Sequence, residues 1–325
     1  MRVSRVEVRL PLRELGYVNS YVIGDPGSRG YVIVDPGMYW AEGLESLARG
    51  LSRLGLRLCD AEGVVATHFH VDHVTAAVLI ASVCSTDVYM GDRELAYVRK
   101  GFESYFNGVL ELYGSYGVPK ELLDSIRSVH LVPKFAKVYD ELADLALPLH
   151  EGAAKLGDVS LRVVETPGHT PGHITALLDD GSAIVGDLVL KEITPSIILD
   201  SRSPGRNPLG EYLGSLAKLK ELGPRLLRPG HGDCIEDPRV KIDELVRHHK
   251  ERLEEVLNIV MSSADPPDLV SVASRVRWRT SASSWSDMKP YDKYFALGET
   301  LAHLRALELE GLVEEVGDPP RFRPA

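Results

Sequence analysis

The chain has 325 residues, a formal net charge of -10, 44% hydrophobic and 26% charged residues. That length supports a large core and about two domains, no apolar run is long enough to span a bilayer, and the acidic balance disfavours a broad nucleic-acid surface. Cys59, Cys84 and Cys234 are scattered and form no CxxC pair, which argues against a thiolate zinc site and reads as three free thiols behaving as small hydrophobes.

Strand-like alternation starts at the N-terminus, Met1–Val8, which lacks the apolar centre of a signal peptide, so a cytoplasmic protein is expected. Gln is absent and only four Asn occur, a depletion of thermolabile amides expected of a heat-loving source. Within residues 3–35, Tyr21-Val22-Ile23 and Tyr31–Val34 flank a predicted turn at Asp25-Pro26-Gly27-Ser28. Leu44, Leu47, Leu51 and Leu54 form the stripe of a helix over 41–54. Gly63-Val64-Val65-Ala66 reads as a buried strand leading into Thr67-His68-Phe69-His70-Val71-Asp72-His73, with a helix from about Val74 to Cys84.

Residues 92–147 read as a helical insertion rich in aromatics (Tyr97, Phe102, Tyr105, Phe106, Tyr113, Tyr116), mainly packing residues and a candidate lid or dimer contact. Strands resume at Val159–Val164. Ile174–Leu178 and Ala183–Val185 form a hairpin around Asp179-Asp180-Gly181, a helix covers 209–222, and Pro224–Arg228 is a last strand. This mixture predicts a layered α/β domain. Past a boundary near 238 come a helix over Val240–Met261, helices at 268–276 and 295–310, and strand pieces at Leu312–Val316 and Arg321–Arg323, a winged-helix order.

Three imidazoles and a carboxylate crowd into residues 68–73, and these are ligands that zinc, iron and manganese accept. Period-two alternation throws His68 and His70 to one side, and a turn after His70 aims Asp72 and His73 at a second point. Four later residues each cap a predicted strand: Asp35 after Tyr31–Val34, His169 in Thr166-Pro167-Gly168-His169, Asp187 after Ala183-Ile184-Val185-Gly186, and His231 in Pro229-Gly230-His231-Gly232. His130, His150, His248, His249 and His303 read as structural histidines, and His173 as a strand-start histidine bonded to backbone.

HxHxDH, a Gly-His loop, Gly-Asp at a strand end and Pro-Gly-His-Gly together resemble the metallo-β-lactamase superfamily over about residues 3–238. The resemblance implies a four-layer αββα sandwich with metals at one end of its sheets. Residues 1–238 would then be the catalytic domain, and 239–325 a linker helix and small winged-helix-like domain. It also implies that His68, His70 and His169 bind one metal, that Asp72, His73 and His231 bind another, and that Asp187 bridges them. Asp35 would support the ligand loop from behind. Two divalent metal ions are expected, zinc first, with iron or manganese as alternatives. Tail included, the chain resembles the β-lactamase-like protein 2 group. It is more distantly similar to glyoxalase II, whose glutathione-gripping tail differs from this one.

The expected function is binuclear hydrolysis of a small ester, thioester or lactone by a hydroxide bridging two cations about 3.5–4 Å apart. Asp72 and His73 are the expected catalytic residues, Asp72 steering the water's proton. The alternative is a phosphodiesterase or endoribonuclease on single-stranded RNA, using Arg275, Arg277, Trp278 and Arg279 as a basic-aromatic cluster. A non-catalytic DNA-binding regulator is disfavoured by Glu299, Glu308 and Glu310 on the would-be recognition helix. Leu297, Leu301, Leu304 and Leu307 are expected to face a core, and Lys191, Thr194 and Ser196 to wall the pocket. The expected partners are a small-molecule substrate or single-stranded RNA, no membrane, and a second copy of the chain.

Overall fold

The computed structural model describes residues 2–11, 15–24, 30–203 and 205–325, with backbone alone at 102 and 103. The predicted turn at Asp25–Ser28 lies outside the described residues. In chain order the elements begin with β1 (Val3–Arg9), β2 (Tyr17–Ile23), β3 (Tyr31–Val34), α1 (Ala41–Arg53), β4 (Ala61–Ala66), α2 (Val71–Cys84) and β5 (Val88–Gly91). Helices α3 (Asp92–Arg99), α4 (Phe102–Ser115), α5 (Lys120–Val129) and α6 (Ala136–Leu145) follow, then β6 (Ala146–Leu149), β7 (Gly152–Leu156), β8 (Val159–Glu165), β9 (Ile174–Leu177) and β10 (Ser182–Gly186). The chain continues through α7 (Pro208–Leu222), β11 (Leu226–Pro229), α8 (Pro238–Met261), α9 (Leu269–Ala273), α10 (Pro290–Leu309), β12 (Val313–Val316) and β13 (Arg321–Pro324).

Among the described residues, one sheet runs β1-β2-β3-β4-β5-β6 and a second runs β11-β10-β9-β8-β7. Strands β3 to β6 are parallel, as are β10 and β11, while the remaining pairs in these two sheets are antiparallel. Tyr21, Ile23, Val32, Val34 and Val65 from the first sheet share one buried cluster with Leu161, Val163, Ile174, Ala176 and Ile184 from the second. The two sheets therefore pack face to face, each presenting its alternate residues to a common core. Helix α1 buries Gly43, Leu47 and Leu51 on one face, at the three-to-four residue spacing of an amphipathic helix. Helix α2 has no polar face: Val74, Ala76, Ala77, Val78 and Ile80 are all buried. With helices outside the sheets, this is the expected four-layer αββα arrangement.

Two differences from expectation bear on function. Helix α2 starts at Val71 rather than Val74, so Asp72 and His73 sit in its first turn. An acidic side chain is favoured there, next to unsatisfied backbone N–H groups. Cys59 and Cys84 are also not free thiols but a disulfide, with Cα atoms 4.7 Å apart. Strand β4 runs out and α2 runs back, which returns Cys84 to the start of β4. Closing a loop of that length is worth about 3–4 kcal/mol in the chain-entropy picture. Cys234 is the free cysteine.

The chain separates into two compact units, the first holding residues 1–102, 134–195 and 214–242, the second holding 103–133, 196–213 and 243–325. This grouping cuts across the boundary expected at 238. Within the second unit α5 packs on α10, and Tyr113 donates to the Tyr294 carbonyl at 2.8 Å. Leu297, Leu301, Leu304 and Leu307 are buried, as expected. The helix, helix, two-stranded order appears as α9, α10 and the antiparallel β12–β13 pair. Here His130 stacks on Phe106 at 4.3 Å between ring centroids, and burial pushes its imidazole down to about 4. We expect an NMR titration of His130 to show a midpoint well below the ordinary 6.5. Its stability contribution would then be complete above pH 6.5 and be lost as pH falls towards 4. A midpoint at or above 6 would contradict this packing.

Candidate metal centre

Five strands of the first unit lead into the expected residues. Asp35 follows β3, Thr67–His73 follow β4, His169 lies between β8 and β9, Asp187 follows β10, and His231 follows β11. The structure brings all seven expected ligands together. His68, His70, His169 and Asp187 form one group of ligand atoms within 4.8 Å of one another, and Asp72, His73 and His231 form another.

In the first group, His70 Nδ1 lies 3.1 Å from His68 Nε2 and 3.0 Å from His169 Nε2. In the second, His73 Nε2 and His231 Nε2 are 3.2 Å apart, with Asp72 Oδ2 3.3 Å from His231. Asp187 stands between them. Its Oδ1 is 3.4 Å from His73, and its Oδ2 is 3.8 Å from His169 and 3.7 Å from His231.

The surroundings fix which nitrogen of three imidazoles faces inward. His73 Nδ1 donates to Asp35 Oδ2 at 3.0 Å and His231 Nδ1 to the Tyr17 carbonyl at 2.8 Å. The Thr67 hydroxyl donates to Asp35 Oδ2 at 2.7 Å, so His68 Nδ1 supplies the proton in its 3.0 Å contact with Thr67. Each ring therefore turns Nε2 to the centre, the arrangement that second partners impose on metal-binding histidines. Asn19 and Tyr21 on β2 hold the His231 loop through the Pro229 carbonyl, at 2.9 and 2.8 Å.

Electrostatics divide the site. Burial, helped by the neighbouring imidazoles, keeps His68 well below its ordinary value and His70 down at about 3. Burial opposes a charge on His73 and His231, but Asp187 and the other carboxylates outweigh it and raise both. Burial likewise opposes ionisation of Asp72, yet His73 and His231 hold it at about 2. One end offers neutral imidazole lone pairs, and the other stabilises positive charge. Two further observations fit divalent cations here. Asp187 Oδ1 is buried with no hydrogen-bond partner. At Gly230, a Cβ would lie 2.4 Å from Asp187 Oδ1 and 2.5 Å from His73 Cε1, so only glycine leaves that space open. Five imidazoles and two carboxylates are a donor set for borderline metals.

Sequence reasoning missed Glu94. This fully buried carboxylate accepts from the Phe69 N–H and the Gly172 N–H, each at 2.7 Å, and so fastens the His68–His70 segment to the loop that carries His169. A Cβ at Gly172 would sit 2.1 Å from the Glu94 backbone nitrogen, so the approach requires glycine. Tyr139 donates to the Phe69 carbonyl at 2.5 Å. In sequence Glu94 is one more acidic residue at a helix start, and nothing marks it. Glu94→Gln replaces an acceptor by an amide N–H facing a donor. We expect ~2 kcal/mol lower stability and ~10–100-fold weaker metal binding, read by thermal unfolding and metal titration. Unchanged metal affinity would reduce Glu94 to a purely structural clamp.

His173 is buried, but its Nδ1 contacts the Thr166 hydroxyl at 2.9 Å rather than backbone, and its ring centroid is 5.3 Å from that of His68. Part of the basic-aromatic cluster makes local contacts. Trp278 donates to the Ala273 carbonyl at 2.8 Å, Arg252 covers its ring at 4.5 Å, and Arg277 pairs with Glu255 at 3.3 Å. Lys191 is exposed, and Thr194 and Ser196 are half-buried.

The family profile described as the Metallo-beta-lactamase superfamily matches residues 13–231. The probable metallo-hydrolase YqjP of Bacillus subtilis (strain 168) is 24% identical over 283 residues, covering 86% of this chain and 84% of YqjP. The Beta-lactamase-like protein 2 homolog of Drosophila melanogaster is 36% identical over 98 residues, 30% of each chain. Among solved structures, the metallo-beta-lactamase family protein TTHA1429 from Thermus thermophilus superposes with a TM-score of 0.80 at 27% identity, covering 99% of this chain and 98% of that one.

Proposed function

The chain belongs to the metallo-β-lactamase superfamily, and from that premise we propose that this hydrolase works with two divalent cations, zinc foremost, on a small ester, thioester or lactone. One observation carries the proposal: Asp187 lies between two groups of ligand atoms and within 3.8 Å of a histidine from each. His68, His70 and His169 would hold one cation, Asp72, His73 and His231 the other, with Asp187 shared. Such a pair supplies an activated water and polarises the scissile group.

The chain's own residues supply position and proton handling. Asp35 and Thr67 keep His73 and His68 in the inward-facing tautomer, and the Tyr17 carbonyl does the same for His231. Asp72 is held ionised beside His73 and His231, so its carboxylate would accept a hydrogen bond from a water at the site and orient it. No helix among the described residues is long and apolar enough to cross a membrane. We read the α9–α10–β12–β13 tail as a winged-helix-like domain, and we place the protein in the cytoplasm of a heat-loving organism. Intracellular disulfides are an established exception in hyperthermophiles, which accommodates the Cys59–Cys84 bond.

The substrate class rests on the net charge of -10 and on an indole already covered by Arg252, both unfavourable to RNA. A metal-replete panel of thioesters, lactones, β-lactams and single-stranded RNA tests it. Turnover of a thioester or lactone is expected. Salt-sensitive RNA cleavage without it would replace this reading by the endoribonuclease one.

A further inference from the structure

The second unit holds another cluster of ligand-type side chains, unrelated to the seven residues above. His248 and His249 lie on α8, and Glu299 and His303 lie one turn apart on α10. Their hydrogen bonds fix the protons in sequence. His303 Nδ1 is 2.7 Å from the Glu299 backbone carbonyl, which can only accept, so Nδ1 carries the hydrogen. Both rings are fully buried, which disfavours their charged forms. His303 Nε2 is then a lone pair, and it accepts from His249 Nδ1 at 3.3 Å. It follows that His249 Nε2 carries no proton. That atom is buried and has no hydrogen-bond partner.

Glu299 beside it is half-buried. Burial raises its carboxyl and the Arg252 guanidinium lowers it. His248, half-buried, completes the group, its ring centroid 5.1 Å from that of His249. One ligand atom from each of His248, His249 and Glu299 lies within 4.8 Å of the other two. Two imidazoles and a carboxylate converge there, beside the Arg252 guanidinium, and the buried His249 Nε2 still lacks a donor. A buried acceptor left without a donor calls for a positive charge or a hydrogen beside it.

We propose that His248, His249 and Glu299 form a separate binding site for a borderline divalent cation of the zinc type, with His303 as the positioning residue that sets the His249 tautomer. Two imidazoles and a carboxylate are ligands such cations take, and three protein ligands leave room for water in the coordination sphere. A donating partner on the far nitrogen is what metal-bound histidines require, and His303 is that partner, itself anchored on a backbone carbonyl. A cation there would cross-link α8 to α10 within the second unit and stabilise it by mass action.

The test is zinc titration of the metal-free full chain, followed by bound-metal count and thermal unfolding. Asp187→Ala disables the first-unit site, and the protein should still bind one equivalent of zinc and melt at a higher temperature with it. Adding Glu299→Gln, which keeps the side-chain shape, should weaken that equivalent by at least ~10-fold, and His248→Ala at the half-buried position should do the same. His303→Leu should weaken it by ~10–100-fold through the tautomer alone. Without the Asp187 change, Glu299→Gln should leave the visible spectrum of cobalt bound at the first-unit site unaltered. The proposal is overturned if Asp187→Ala protein holds no zinc, or holds it equally well with and without Glu299→Gln. A shared proton or a water molecule would then fill the cluster.

Discussion

Asp187→Ala should strip the first-unit site of both its metal equivalents and lower hydrolytic turnover by more than ~100-fold, beyond what losing an outer partner of a metal ligand costs. Asp187 reaches both ligand groups, through contacts of 3.4 to 3.8 Å to His73, His169 and His231. Its carboxylate is also the largest influence raising His73. Without it the second group keeps Asp72 as its one anion, and the first group is left with imidazoles that burial already disfavours as cations. Asp187→Asn keeps the shape and removes the charge, so it should behave almost as badly. Elemental analysis alongside a turnover assay reads both effects, and full metal retention in the alanine variant would contradict the bridging role.

Asp35→Ala should cause the largest loss of stability among changes outside the ligand set. Asp35 is 1% exposed and accepts from the Thr67 N–H at 2.8 Å, the Thr67 hydroxyl at 2.7 Å and His73 Nδ1 at 3.0 Å. Each buried donor left unsatisfied costs ~1–3 kcal/mol, so a combined loss of ~4 kcal/mol is expected. Small domains have only about 5–15 kcal/mol to lose. The backbone adds a constraint, since Asp35 has φ of 55°, a left-handed conformation that Asn and Asp tolerate better than alanine. Freed from Asp35, His73 can flip or change tautomer, and metal affinity should fall ~10–100-fold. Asp35→Asn should recover part of the stability. Denaturant unfolding and metal titration check the two effects separately, and a loss below ~1 kcal/mol with unchanged affinity would show that Asp35 does not hold the site.

The ligand loops were legible because their signals are local. Short apolar runs such as Gly63–Ala66 and Tyr31–Val34 end in histidine or aspartate, and parallel strand ends bring those residues to one rim. What escaped the sequence depends on how distant elements return. The Cys59–Cys84 bond exists because α2 runs back beside β4. Glu94 matters because α3 places it against two loop N–H groups that are far apart in the chain, Phe69 and Gly172. His249 and His303 read as separate structural residues until α8 and α10 set them in one hydrogen-bonded chain. The true start of α2 was hidden because Val71-Asp72-His73 reads equally well as turn or as first helical turn, and tertiary context decides.

Anomalous diffraction at the zinc edge, on crystals of the zinc-loaded full chain, tests the central claim most directly. Two peaks are expected in the first unit, one among His68, His70 and His169 and one among Asp72, His73 and His231, with Asp187 reaching both. A single peak there, or peaks that leave Asp187 or His231 uncoordinated, would contradict it.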